Sequence, residues 1–139
     1  GTSNDEAKFI ITGNNRDVNR YRWNLKNITS KLKNNESKQS IFYNKLCYLL
    51  NIRRKQKAFH PNATRLNLNF GPKIYGFKRI SKDRKQTIIC ITNISSQKQK
   101  IKVHKENLKF RNLMNSKTKI VNKQFLLLDP FETIWLTNT

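Results

Sequence analysis

The sequence predicts an α+β fold in which helices come first and an antiparallel β-sandwich follows. Apolar residues recur at spacings of three and four between Ser40 and Ile52, which is typical of one long amphipathic helix. From Arg65 onward the apolar period changes to two, and polar turns separate the apolar runs. Because no helical pattern interrupts these short runs, they favour antiparallel sheets over a parallel sheet with crossover helices.

The N-terminal third is expected to contain loops and two helices. The segment 13–20, GNNRDVNR, is polar and predicts a turn or loop. Asn24 is a candidate cap for a short helix, and Ser37 is a candidate cap for the long helix after a break at 34–37. Pro61 moves His60 out of the helical region and starts an extended path. The apolar face of the short helix consists of Leu25, Ile28 and Leu32.

Some seven strands are expected in the remainder of the chain. Thr87 begins the most continuous apolar run, which predicts a central strand at 87–94. The predicted strands are 65–70, 74–80, 87–94, 99–104, 118–121, 125–129 and 131–137.

The charge balance is the main argument for a different kind of function. The chain has 29 Lys and Arg against 8 Asp and Glu, a net charge of +21, with basic runs at 53–57, 78–85 and 98–105. Such a balance is typical of nucleic-acid-binding domains. However, the basic residues are spread over the whole chain, and aromatic residues do not alternate with them as stacking platforms. Lys, Asn and Ile are abundant together, which AT-rich coding bias would produce. A small basic nucleic-acid-binding domain is therefore the alternative, and we expect only non-specific binding.

Several other classes of protein are disfavoured. No apolar run approaches the ~20 residues of a membrane span, and we expect no signal peptide before Gly1 and no membrane partner. Cys47 and Cys90 lie in apolar runs and are expected to be buried thiols, which suits a cytoplasmic location. His60 and His104 have no Cys or His partners at metal-ligand spacing, so neither a metal nor a cofactor is expected.

Three segments resemble, in the right order, the sucrose-phosphorylase-like branch of glycoside hydrolase family thirteen in the α-amylase superfamily. This branch includes sucrose and glucosylglycerate phosphorylases. TGNNRDVNRYRWNL at 12–25 resembles a substrate-facing loop and the helix after it. LLNIRRKQKAFHPNA at 49–63 resembles the end of the last barrel helix, and DPFETIWL at 129–136 resembles the closing strand of the C-terminal domain. The resemblance implies terminal helices of a (β/α)8 barrel at 1–60 and a β-sandwich C-terminal domain at 61–139.

The resemblance also implies what the whole enzyme does. Such enzymes transfer glucose with retention from sucrose or a related glucoside to phosphate or another acceptor. The expected partners are therefore a sugar substrate, phosphate or another acceptor, and the rest of the barrel. Retaining glycosidases need two carboxylates, but none of the eight acidic residues here stands in a motif like the family's catalytic ones. The segment alone is expected to be inactive.

The predicted site residues lie in Asp17-Val18-Asn19-Arg20, which resembles the loop whose arginine holds the sugar in the cleavage subsite. A guanidinium suits that role because its fork of donors can bind a pair of hydroxyls and a carboxylate together. The resemblance therefore assigns sugar binding to Arg20, and loop orientation or hydroxyl binding to Asp17 and Asn19. From the pattern alone, a solvated Asp–Arg turn without a role stays open.

Overall fold

The computed structural model describes residues 4–19, 21–104, 109–114, 120–121 and 124–139. The chain divides into two compact units, residues 1–48 and 49–139. The first unit contains helices and the second contains the sheets, with the last helix of the first unit running on into the second. The helices are α1 (Glu6–Thr12), α2 (Asn15–Asn19), α3 (Leu25–Lys33) and α4 (Lys38–Arg54).

Helices α1 and α2 correct the expectation that residues 13–20 form a loop. Asp5 caps α1 by accepting a hydrogen bond from the Lys8 backbone N–H on its Oδ1 at 3.1 Å. Gly13 ends α1 in the left-handed conformation, with φ of 64°, which a residue without a Cβ adopts at no steric cost. The chain then turns directly into α2. Gly13 was a visible signal for the end of a helix, but the polar composition of 13–20 suggested a loop instead.

Both predicted helix caps are present. The Asn24 side chain accepts a hydrogen bond from the Lys26 N–H at 2.9 Å and begins α3. The Ser37 hydroxyl accepts one from the Ser40 N–H at 3.0 Å and begins α4. The Ser40 hydroxyl donates to the Leu32 carbonyl at 3.0 Å, which connects the two helices.

Helix α4 presents most of its large apolar side chains to solvent. Within this helix the only residue classed as buried is Ser40. Phe42, for example, is 59% exposed. The exposed apolar and aromatic residues of α4 are Ile41, Phe42, Tyr43, Leu46, Tyr48 and Leu50. The helix predicted from the sequence therefore forms, and most of its large apolar side chains are exposed.

Among its described residues, the second unit contains eight strands in two antiparallel sheets, with a 3₁₀ turn at Lys57–Phe59 before them. The strands are β1 (Thr64–Asn69), β2 (Ile74–Ile80), β3 (Thr87–Asn93), β4 (Gln99–Lys102), β5 (Arg111–Asn112), β6 (Ile120–Val121), β7 (Phe125–Leu128) and β8 (Thr133–Thr137). One sheet has the order β1-β2-β3-β8-β5, and the other has the order β4-β7-β6.

The larger of two hydrophobic clusters among the described residues joins the inward faces of the two sheets. It combines residues of the larger sheet, such as Ile91 and Leu136, with residues of the smaller one, such as Leu126 and Leu128. The strand at 87–94 is central as predicted, because β3 pairs with β2 on one side and β8 on the other. Burial of such aliphatic side chains contributes about 1.5–3 kcal/mol each.

Several strand predictions differ in detail from the structure, and the bounds of β1, β3 and β7 each differ from the predicted ones by one residue. Strand β5 was not predicted, because its two residues carry no apolar alternation and it is defined only by pairing with β8. Strand β8 begins at Thr133 rather than at residue 131, since Phe131 has a φ of 57° and turns the chain. Strand β4 ends at Lys102 rather than at residue 104. Of the predicted strand 118–121, residues 118 and 119 lie outside the described residues.

Candidate functional site

The predicted site segment lies in the hairpin formed by α1 and α2. The Asp17 N–H donates to the Asn14 carbonyl at 2.9 Å within the tight connection between the helices. At the end of the hairpin opposite this connection, the Asp5 N–H donates to the Val18 carbonyl at 3.2 Å. The second of these bonds connects the C-terminal part of α2 to the N-cap residue of α1, although α2 is only five residues long.

The carboxylate of Asp17 is bound on both oxygens by side chains of α1. The Lys8 ammonium donates to Oδ1 at 2.7 Å, and the Thr12 hydroxyl donates to Oδ2 at 2.7 Å. The Asp17 side chain is 17% exposed. The hydrogen bond from Lys8, followed by that from Thr12, lowers the pKa of Asp17 below its ordinary value.

This arrangement suits an orienting role better than an acid–base role. A carboxylate with a lowered pKa stays ionised at neutral pH and has no proton to give to a leaving group. Its charge is matched by Lys8, and each oxygen keeps lone-pair capacity for one further donor. Lys8 and Thr12 were missed by the sequence reasoning, because nothing in their spacing marks them as partners of Asp17.

Arg20 lies outside the described residues. In the sequence it follows Asn19, the last residue of α2. Asn19 therefore ends the helix that the Asp17 contacts hold in place. Sugar binding by Arg20 and Asn19 stays a prediction.

An open cavity of about 500 Å³ lies in the first unit, next to the site segment in sequence. The rings of Tyr21 and Trp23 meet edge to face in it, with centroids 4.9 Å apart. Trp23 is half-buried. Aromatic faces, amides and hydroxyls are groups that can contact sugar rings and their hydroxyls. The lining residues are Asn4, Tyr21, Trp23, Asn27, Ser30 and Lys31.

The described residues offer few other reactive groups. Among them, no three His, Cys, Asp or Glu side chains converge as a metal site would require. Cys47 and Cys90 are free thiols, and burial raises the pKa of Cys90 to about 12. A thiol with such a pKa is almost entirely protonated at neutral pH and is a poor nucleophile. In the described part of the chain, no helix is long and apolar enough to cross a membrane.

Comparison of the sequence with known proteins finds two glucosylglycerate phosphorylases. The enzyme of Escherichia coli is 26% identical over 137 residues, which is 98% of this chain and 23% of that protein. The enzyme of Spirochaeta thermophila is 27% identical over 95 residues, which is 68% of this chain and 16% of that protein. The chain thus spans about a fifth of the length of these relatives. No family model matches it.

Comparison of the structure with solved structures finds similar folds at low sequence identity. AmyP in complex with maltotriose has a TM-score of 0.61 at 17% identity, over 75% of this chain and 22% of that one. An α-amylase from Anoxybacillus has a TM-score of 0.58 at 17% identity, over 75% of this chain and 23% of that one. The fold of the chain therefore matches a part of these structures, and the sequence comparison confirms the resemblance to glucosylglycerate phosphorylases.

Proposed function

We propose that this chain is the C-terminal segment of a retaining α-glucosyl-transferring enzyme of the sucrose-phosphorylase-like branch. The observation that carries the proposal is the alignment of 98% of the chain with 23% of a glucosylglycerate phosphorylase. An alignment that leaves out only a few residues of this chain fits a segment of a longer enzyme better than a shared small motif. Glucosylglycerate or sucrose is the proposed donor, and phosphate is the proposed acceptor.

The exposed apolar face of α4 supports the view that the chain belongs to a larger body. Soluble proteins rarely leave so many large apolar side chains of one helix uncovered. Leu46 and Leu50 are 42% and 51% exposed, and both lie in the long helix predicted from the sequence. In the proposed enzyme, residues 1–60 contribute the end of the barrel, and residues 61–139 form the appended β-sandwich.

We assign separate roles to the residues of the site segment. Arg20 binds hydroxyls of the glucosyl ring with its guanidinium fork, and these bonds strengthen as the ring flattens toward the oxocarbenium-like transition state. Asp17 is a positioning residue, because Lys8 and Thr12 hold its carboxylate and thereby α2. Asn19 contributes a hydroxyl-binding amide. The catalytic carboxylates come from parts of the enzyme outside this chain.

Substitution of Arg20 in the complete enzyme tests this assignment. Arg20→Lys keeps the charge but loses the fork, so we expect kcat/KM to fall by about tenfold to a thousandfold, or about 1.4–4 kcal/mol. Arg22→Lys is the matched control, since Arg22 is exposed and lies two positions further on. The control is expected to keep near-native kcat/KM. Equal turnover of the two variants would show that Arg20 is an ordinary surface arginine.

The net charge of +21 favours nucleic-acid binding as the second candidate function. Non-specific attraction to phosphates follows from such a charge whatever the fold. Selected recognition would require preference for a sequence or a shape, and this separates the two candidates experimentally.

A further inference from the structure

Strand β1 is an edge of the five-stranded sheet that lacks the usual protection against pairing. Its six residues pair with β2 in an unbroken antiparallel register, from Thr64 opposite Ile80 to Asn69 opposite Tyr75. In the described part of the sheet, no strand lies on its other side. Natural edge strands are usually blocked by charges, prolines, bulges or extreme shortness. Strand β1 contains neither proline nor bulge, and Pro61 and Pro72 lie outside it.

The single charge of β1 is turned away from the open edge. The Arg65 guanidinium lies 5.0 Å from the centre of the Phe77 ring on β2. Its Nη2 donates to the Tyr75 hydroxyl at 2.7 Å. Arg65 therefore reaches along the face of its own sheet, and the outward N–H and C=O groups of β1 stay accessible.

The apolar residues of β1 indicate what kind of strand could pair with this edge. Leu68 packs against the shared core of the two sheets, while Leu66 is 45% exposed at the rim of the same face. An added antiparallel strand with a leucine opposite Leu66 would extend that core across the edge. The sequence of β1 itself, TRLNLN, supplies such a strand when read in the reverse direction.

We propose that β1 binds β1 of a second copy of this chain, joining two five-stranded sheets into one continuous sheet. A two-fold axis perpendicular to the sheet maps each face of the sheet onto itself. One residue of β1 must therefore lie directly opposite its own copy, with the axis midway between the two. With the axis at Asn67, Leu66 faces Leu68 of the second copy, and Leu68 faces its Leu66. Arg65 then faces Asn69 and no cation opposes a cation directly.

The high net charge opposes this association and gives it a distinguishing property. Two copies at +21 each repel one another, and added salt screens this repulsion. We therefore expect dimerisation of the 139-residue chain to strengthen as ionic strength rises. Binding to a polyanion would show the opposite dependence.

Disulfide trapping of the 139-residue chain tests the register, with Cys47→Ser as background. Asn67→Cys places two thiols directly opposite at the two-fold axis, where Cβ atoms about 4.5–5.5 Å apart can close a bridge with small adjustment. Asn69→Cys is the matched control on the same face of the same strand. Its two thiols would lie four positions apart along the strands, about 14 Å. We expect covalent dimers from Asn67→Cys alone. Equal cross-linking of both variants, or none in either, overturns the proposal.

Sedimentation of charge variants tests the association without a cross-link. Asn67→Lys sets two ammonium groups against each other at the axis and is expected to raise the dimer dissociation constant by about fivefold or more. Ser96→Lys adds the same charge in an exposed loop and serves as control. The proposal is supported if the chain forms a concentration-dependent dimer that Asn67→Lys weakens and Ser96→Lys does not. A monomer at every concentration and salt, or equal effects of both changes, overturns the proposal.

Discussion

Asp17 and Asp83 are carboxylates that hold local turns, and each has a lowered pKa for that reason. Asp83 lies in the hairpin between β2 and β3. It accepts hydrogen bonds from the Ser81 hydroxyl at 2.6 Å, the Lys85 N–H at 3.1 Å and the Lys57 ammonium at 3.1 Å. The bond from Ser81 is the largest cause of the lowered pKa of Asp83, followed by that from Lys85. Because their pKa values are lowered, these carboxylates stay ionised at neutral pH, which suits a structural role better than a general-acid role.

The stability contributed by Asp83 is expected to disappear in acid. A carboxyl group whose pKa is lower in the folded state stabilises that state above its unfolded pKa of about 3.9, and loses this effect as pH falls through the folded value. Asp83→Asn therefore unfolds at a lower temperature than the unchanged chain at pH 7. Thermal unfolding followed at several pH values is expected to show this difference shrinking below about pH 4. Glu36→Gln, at an exposed carboxylate of the first unit, is the control. A difference that stays constant down to pH 2 would contradict this account.

At the scale of elements, the 3₁₀ turn after α4 is attached to the larger sheet by two long polar side chains. The Gln86 side chain accepts from the Ala58 N–H at 2.9 Å and donates to Gln56 Oε1 at 2.8 Å. The Arg79 guanidinium donates to the carbonyls of Ala58 and His60 at 3.0 and 2.5 Å. Phe59 adds an edge-to-face contact with Trp135, with ring centroids 4.9 Å apart. The segment at 56–60 therefore starts the β unit in a fixed position.

Removal of the Gln86 side chain is expected to destabilise this attachment. Ala58 is fully buried, so Gln86→Ala leaves its N–H without an acceptor, at a cost of about 1–3 kcal/mol in the free energy of unfolding. Denaturant unfolding of the 139-residue chain measures this change in the free energy of unfolding. Gln97→Ala, which removes an exposed contact with Lys73, is expected to cost less than about 0.5 kcal/mol. Equal losses of unfolding free energy in the two variants would show that the buried hydrogen bond to Ala58 contributes no more stability than the exposed one to Lys73.

Elements with a local chemical cause were predictable from the sequence, and elements defined by distant partners were not. Asn24 and Ser37 cap helices through bonds to residues two or three positions away, so both could be foreseen. Strand β5 exists because β8 lies beside it, and the sequence of two polar residues does not show that. The site divides in the same way. Asp17 was identified by a motif, but its partners on α1 depend on how the hairpin closes.

At the scale of the whole molecule, the basic surface is expected to behave as a non-specific polyelectrolyte. Lys and Arg are dispersed, so duplex DNA of any sequence is expected to bind with similar weak affinity. Affinity falls by roughly a thousandfold or more between about 50 and 200 mM salt if six or more phosphate contacts form. Fluorescence anisotropy with two unrelated duplexes measures both properties. Tight binding to one of them that survives physiological salt would favour the nucleic-acid function.

The central claim is that this chain completes a retaining α-glucosyl-transferring enzyme. For the most direct measurement, a longer protein is expressed that contains residues 1–139 and the segment expected to precede them. This protein is incubated with phosphate and either glucosylglycerate or sucrose. Proton NMR of the first product then reports the anomeric configuration. We expect α-glucose 1-phosphate, formed with retention, and no turnover by the 139-residue chain alone. Absence of turnover on both donors in the folded longer protein, or a product of inverted configuration, would contradict the claim.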